Sequence, residues 1–540
     1  MKKRSSLAIL SFVLGCTAAW CTLTRAGWLP AVAIPLGLAA VCTAGLALWS
    51  IHRAPASLRG RGLAISAVCL GVLATVSGVA VLVSLFLQQL SPEPQQRQTW
   101  DQDRQAEEAQ AQNRMPDEPA TNFTSNLPIV ILDTAGQSIS KDAATVVRAR
   151  FFDVGNGRVS PGAEPVYEGL ATMHLRGTTT LHLPKRSYAF HTVDAETNQT
   201  KVSLLGLPRE EDWVLYAPYE DKTLIRDVLA YELANRMGHY APRTRYVELF
   251  LNTSRRPLSL RDYAGVYVLM EKIKRGKDRV NIAKLGPKDL SEPEITGGYI
   301  VKRDHSDRGG SRFRTRHGGP YFYVYPKAKE IAPEQKSWLA GYLNAFESAL
   351  YGAEFTDPRT GYAAYLDVDS FIDAHWLTEI SKNVDGFRYS AFLTKDRGGK
   401  LKPEPPWDWN RSFGNANYYG GWQVQGWYWT NLRPNEISWY QRLREDPDFG
   451  RRCTARWFVL RKGVLDPKKL TARVDELAAQ LEEAQRRNFK RWPVLGQQIT
   501  CNYYVGHSFQ DEVRWLKNWI QRRIAWMDSQ LGAPPKPVDE

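Results

Sequence analysis

Thiols and imidazoles are scarce in this chain: 540 residues carry six cysteines and nine histidines. Four of the cysteines (Cys16, Cys21, Cys42 and Cys69) fall in the first 90 residues, so only Cys453 and Cys501 remain for the rest. That number excludes a disulfide-stapled fold, and neither residue has the spacing of a zinc site. One pair permits a single disulfide between the two C-terminal helical regions; two unrelated buried thiols fit equally well. His174, His182 and His375 lack a Ser or Cys in a nucleophile-elbow context, which argues against a hydrolytic triad. No GxGxxG, and no GxxxxGK followed by Ser or Thr, follows a strand-like run, so the common glycine-rich nucleotide loops are absent.

Acids are missing altogether from residues 1–90, which hold seven Lys/Arg. Removing those seven leaves 64 basic against 57 acidic residues, so half of the net +14 belongs to the N-terminal region. The remainder is mildly basic, which suits a polyanionic ligand such as ATP and does not call for nucleic acid. Three uncharged apolar stretches, 7–23, 28–51 and 63–87, are separated by the basic residues. Crossing a bilayer takes about 20 apolar residues, so 1–90 is expected to be a multi-pass membrane module of about three transmembrane helices. Lys2–Arg4 and the Arg53, Arg59, Arg61 loop favour the cytoplasmic side, and three crossings then make the large C-terminal domain extracytoplasmic. Residues 91–126, rich in Gln, Glu, Pro and Asn, are expected to form a flexible polar linker.

From residue 127 the pattern becomes strands, in LPIVILDT and ATMHLRGTTTLHLPKRSYAFHTV, then RYVELFLN, YAGVYVLMEKI, GGYIVKRD and PYFYVYPK. One helix interrupts them at KTLIRDVLAYELANRMG, with Asp221 as its possible cap and Gly238 at its end. Helices over 333–352 and 367–383 follow, then a hairpin around Arg397-Gly398-Gly399-Lys400, then two long helical runs. The expected fold is α+β: a strand-rich first lobe and a helix-rich second lobe within one domain, residues 127–535.

The junctions hold the chemistry. A helix runs into a loop with Asn383-x-Asp385; a hairpin follows, and with 22 residues between them comes Asp408 in EPPWDWNRSFGN. A helix, a loop acid, a hairpin and a second acid is the order of parts that protein kinases use for phosphoryl transfer. One carboxylate orients the attacking hydroxyl and the other holds a cation against the phosphates. Asp408 with Asn410 or Asn415 offers the oxygen ligands that suit magnesium. Short polar residues beside turns are also ordinary caps, and the spacing alone leaves both readings open.

Family resemblance adds to this. LRGTTTLHLPKRSYAFHT (175–192), DWVLYAPYEDKTLIRDVLAYELANRMGHYAPRTRYVELFLN (212–252), GVYVLMEKIKRGKDRVNIAKL (265–285), ITGGYIVKRD (295–304) and PWDWNRSFGNANY (406–418) resemble, in order, blocks of the spore-coat CotH kinase family. The matches span about 127–531, and the membrane region resembles, less specifically, small modules fused to bacterial surface proteins. The resemblance implies an atypical two-lobed kinase that phosphorylates Ser/Thr of coat or surface proteins with ATP and Mg²⁺ or Mn²⁺. Carried across, Asp385 is the catalytic acid and Asp408 the metal ligand, with Asn410 beside it. Some relatives have a second Asp at that last position; Asn410 keeps the oxygen ligand and removes a charge.

For nucleotide binding, Lys185 is the candidate phosphate-contacting lysine, against the alternative of a solvated strand end, and Arg176 adds a second charge. Its acid partner is expected to be Glu271, or else Glu232. Lys222 and Arg226 with Asp221 form a polar cluster at a helix start, which suits phosphate, although simple capping by Asp221 explains it too. Two further readings stand beside the protein kinase. One is a non-catalytic envelope module that binds glycan or protein; the other is a kinase acting on a surface polysaccharide.

Overall fold

The computed structural model describes residues 115–532, apart from positions 156, 179, 305–310, 434–435 and 437–438. The expected membrane module over 1–90 and most of the expected linker lie outside the described residues. Among the described residues, no helix is long and apolar enough to cross a membrane.

Alternating apolar residues build seven strands in the first half. They are β1 (Ile129–Asp133), β2 (Thr145–Phe152), β3 (Tyr167–Arg176), β4 (Ser187–Val193), β5 (Asp212–Tyr216), β6 (Thr244–Asn252) and β7 (Tyr263–Glu271). In β2, Val147, Ala149 and Phe151 are buried while Val146 and Arg148 are exposed, the period of two that a one-sided strand requires. The strands close into a barrel in the order β1-β2-β3-β4-β5-β7-β6. Neighbours are antiparallel except at the closing seam, where β6 runs parallel to β1. Val130, Phe151, Phe190, Trp213 and Leu249 fill the interior, so the barrel is a packed core.

The strand-rich expectation is therefore met, but as a closed barrel and not as a kinase-type lobe. Closure follows from β1 finding a partner on each side, which leaves no open edge. The packed region also starts before the expected boundary at 127. Met115, Ala120 and Phe123 are buried against Ile129, Ile131, Phe250 and Tyr263.

A second sheet has the order β12-β11-β8-β10-β9. Its strands are β8 (Tyr299–Arg303), β9 (Arg312–Phe313), β10 (Tyr321–Tyr325), β11 (Ala391–Lys395) and β12 (Leu401–Lys402). The expected hairpin is there, as β11 antiparallel to β12, and β8 pairs with its other side. Seven helices among the described residues complete the domain: α1 (Arg226–Arg236), α2 (Pro333–Tyr351), α3 (Val368–Ser381), α4 (Trp439–Leu443), α5 (Pro447–Arg461), α6 (Pro467–Arg491) and α7 (Phe509–Leu531). Val228, Leu229 and Leu233 of α1 share one core with Phe371 and Trp376 of α3, Leu477 of α6 and Trp519 of α7. Cys453, buried in α5, and Cys501 are both free thiols, so no disulfide joins them.

Candidate active site in the cleft beside the barrel

Helix α3 begins at Asp367, whose carboxylate accepts from Ser370 N. It stops because Lys382 turns left-handed, φ 47°, a conformation that costs energy for a residue with a Cβ. That stop directs Asn383, Val384 and Asp385 out of the helix line. Asn383 Oδ1 accepts from Asp385 N at 3.1 Å, and Asp385 O accepts from Arg388 N and Tyr389 N at 2.7 and 2.8 Å. Arg388 also reaches the Asp385 carboxylate at 3.2 Å and is itself held by Glu436 at 2.7 Å.

Asp408 is the second left-handed residue, φ 65°. Its amide donates to Tyr231 Oη at 3.0 Å, and the next amide, Trp409, donates to Asp227 at 2.7 Å. Left-handed non-glycine residues at Lys382, Ser390, Asp408 and Phe413 thus bracket both candidate acids, the kind of local strain that clusters at working sites.

Asp385, Asp408 and Asn410 line one cavity of about 450 Å³ together with Arg176. All four are candidates from the sequence, and the fold places them on one cavity wall. The rest of the lining divides by origin. From the barrel come His174 and Arg176 in β3 and Gly177, Thr178 and Thr180 just after it, with Lys272 just after β7; from the second sheet come Lys302 and, just after β8, Asp304. Glu220, on the loop after β5, completes the acids. Gly177 sits at φ 110°, and a Cβ there would collide with Thr180 Oγ1. Arg176 lies over the Trp407 ring at 5.0 Å. Lys272 Nζ donates to Asp212 at 3.3 Å, which holds its ammonium at the cavity wall.

Four carboxylates therefore face one space: Glu220, Asp304, Asp385 and Asp408. Glu220 accepts from Arg411 at 3.1 Å and from Asn410 Nδ2 at 3.2 Å. Asp408 is exposed where it meets the cavity. Burial among the cleft walls nevertheless pushes its carboxyl up, to about 6; Arg411 opposes that rise, while Asp385, Glu220 and Asp304 add to it. Asp227 behind it is raised to about 7 by burial and by Asp408. Carboxylates converging on one space, with an amide oxygen beside them, are the donor set of a hard divalent cation.

The other expected nucleotide-binding residues do not line this cavity. Lys185 is buried and donates to Val266 O and to Asn488 Oδ1, which braces the barrel against α6. Glu271 is fully buried with Arg243 and Arg279, and Glu232 pairs with Arg473, so the expected Lys185–acid pair does not form. Lys222 donates to Gln497 O, and Arg226 is paired with Asp221 at 2.5 Å. Asp221 accepts from Arg226 N, the first amide of α1, although Ile225 holds the N-cap position. Two of these misplacements are off by one or two positions. Glu271 points into protein while its neighbour Lys272 reaches the cavity, and Glu220, just before Asp221 and Lys222, does the same. Side chains alternate faces at a strand end, and that alternation was the available signal for Lys272.

Among the described residues, Glu210, Glu211 and Asp212 form a cluster able to hold a metal ion. Lys274 Nζ already donates to all three, at 3.0, 2.7 and 2.7 Å, and occupies the place an ion would take.

A family model described as CotH kinase protein matches residues 173–527, which includes every lining residue named above. No curated protein matches the chain.

Proposed function

The chain belongs to the CotH kinase family, and from that premise we propose that the cleft transfers the γ-phosphate of ATP to a hydroxyl acceptor, with Asp385 as the catalytic acid. Membership carries kinase-type phosphotransfer at the level of the family. The observation that carries the finer reading is one cavity lined by both cations (Arg176, Lys272, Lys302 and Arg411) and carboxylates (Glu220, Asp304, Asp385 and Asp408).

Arg176 and Lys272 suit the phosphates of a nucleotide entering along the barrel, beside Gly177 and Thr178. Asp408 and Asn410, with Glu220 next to them, would hold Mg²⁺ or Mn²⁺, which when bound neutralises phosphate charge. Asp385 takes the acceptor hydroxyl's proton as the oxygen attacks. Arg388 bonds the Asp385 carboxylate and so fixes its direction. The acceptor the family implies is Ser/Thr of envelope or surface proteins, reached from an enzyme tethered to the membrane through residues 1–90. Labelling of an envelope extract with γ-phosphate by the purified full chain, in the presence of Mg²⁺ or Mn²⁺, tests the reading. Label that persists in Asp385→Asn would move the chemistry elsewhere.

A further inference from the structure

Between Arg411 and Arg433 the chain runs for 21 residues, SFGNANYYGGWQVQGWYWTNL (412–432), without a charged side chain or a histidine, in a protein whose residues are 24% charged. Such a run ordinarily belongs to a core, and its first residues, 412–416, are buried; from Asn417 on it reaches the surface. Asn417, Gln423, Gln425 and Asn431 are exposed, and Tyr418, Tyr419, Trp422 and Trp429 are half-buried. Its only branched aliphatics, Val424 and Leu432, are buried.

Two buried cations hold the run from inside. Lys382 donates to the carbonyls of Gln423 and Gln425 at 3.0 and 2.6 Å, and Arg523 to those of Val424 and Gly426, both at 2.8 Å. With the backbone pinned, the Gln423 and Gln425 amides are presented outward in a fixed arrangement, which lowers the entropy lost when a ligand binds.

The run starts at the cleft and is backed by a second segment. Asn410 and Arg411 line the cavity, and Arg411 donates to Tyr418 Oη at 3.3 Å. Asn417 N donates to Cys501 O and Tyr503 N to Asn415 O. That pairing stacks Tyr503, 44% exposed, on Trp422 with ring centres 5.0 Å apart. Trp515 and Tyr504 continue the row.

The chemistry selects the occupant. The strap carries no charge of its own, and the guanidiniums that reach it are held on its tyrosines, Arg388 and Arg433 over Tyr419 and Arg411 on Tyr418, so it offers little to a polyanion or an anionic membrane. Its half-buried rings stand among exposed amides, so no continuous apolar centre forms of the kind a permanent protein interface has. What remains is aromatic rings, which take C–H faces, and unpaired amides, which both donate to and accept from hydroxyls. We propose that the 412–432 strap and the Trp422–Tyr503 row bind a neutral glycan chain alongside the acceptor side of the cleft. This binding is independent of phosphotransfer; only the further step, that the glycan belongs to the acceptor, rests on the kinase reading.

The test uses the full chain without nucleotide. It is titrated, by tryptophan fluorescence and calorimetry, with three probes: a β-1,4-linked glucose hexasaccharide, a β-1,4-linked N-acetylglucosamine hexasaccharide and an α-1,4-linked glucose heptasaccharide. Saturable binding of at least one is expected, weakened about tenfold or more in Tyr503→Ala and in Gln425→Ala. Trp422→Phe, which keeps a ring, retains most of it, and Asp385→Asn retains all of it. No binding of any probe at millimolar concentration overturns the proposal, as does binding that Tyr503→Ala and Trp422→Ala leave unchanged. Capture of an envelope protein through this surface while all three sugars are inert overturns it in favour of a protein partner. Loss of labelling in Asp385→Asn with sugar binding intact separates the two readings.

Discussion

Two groups of acids lie within this domain, and they behave in opposite ways. Glu210, Glu211 and Asp212 are closed by Lys274. Burial works against the charge of Asp212, but His191, Lys272 and Lys274 hold its carboxyl well below the usual range. In the cleft, Glu220, Asp304, Asp385 and Asp408 converge on a cavity, and Asp408 rises. A count of carboxylates does not separate the two groups. The Lys274 ammonium does: it bonds all three acids of the first group, whereas the second group converges on a cavity.

The comparison breaks most visibly at Asp385. Asp385→Asn is expected to lower phosphoryl transfer about 10²–10⁴-fold, since an amide cannot accept the hydroxyl proton, with nucleotide binding and thermal stability near wild type. Single-turnover labelling beside a melting curve checks both. Next, Asp408→Asn should abolish Mn²⁺-dependent ATP binding measured by calorimetry, whereas Glu211→Gln should leave it unchanged. Equal losses in the two variants would erase the distinction between open and closed clusters.

A smaller effect is expected for the lysines. Lys272→Met should raise the KM for ATP about tenfold or more with little change in stability, because it removes a charge-assisted contact to phosphate. Lys185→Met should do the reverse, leaving KM unchanged and shifting the melting temperature, because its partners Val266 and Asn488 are structural.

The mildest test is a third pair of acids, closed by a histidine. His239 bonds Asp373 at 2.9 Å and Glu404 at 3.0 Å, with Arg456 also on Asp373. Burial alone would lower the His239 pKa, but the two carboxylates carry it to about 9. Since the folded value exceeds the unfolded value of about 6.5, this stabilisation is complete below that pH and is lost as pH rises through about 9. The melting-temperature gap between wild type and His239→Gln should therefore shrink between pH 7 and 10. A constant gap would show that the histidine is held by packing alone.

Much of this was legible in the sequence. The 333–352 and 367–383 helices, the β11–β12 hairpin and the convergence of Asp385 with Asp408 follow from local periodicity and turn chemistry. The rest depended on pairings between distant segments. Nothing local in LPIVILDT says that β1 will lie parallel to β6, or that β8 will join β11 and turn a hairpin into a five-stranded sheet. Lys185, in a strand-like run, suits a phosphate contact or a solvated strand end, but α6 covers it, and no local pattern foretells that contact. The Glu271-for-Lys272 exchange is a register error of one residue, enough to reverse which face a side chain takes.

The seam between β1 and β6 also sets a timetable. Ile129 pairs with Glu248, about 120 residues further on. At the usual 5–20 residues per second, β1 waits on the order of ten seconds during synthesis for its parallel partner. Until then Ile129–Asp133 has one paired edge at most, and its other edge can recruit a strand from a second nascent chain. Early aggregation in vivo should therefore depend on the rate of elongation through residues 134–248 more than on the final stability of the barrel.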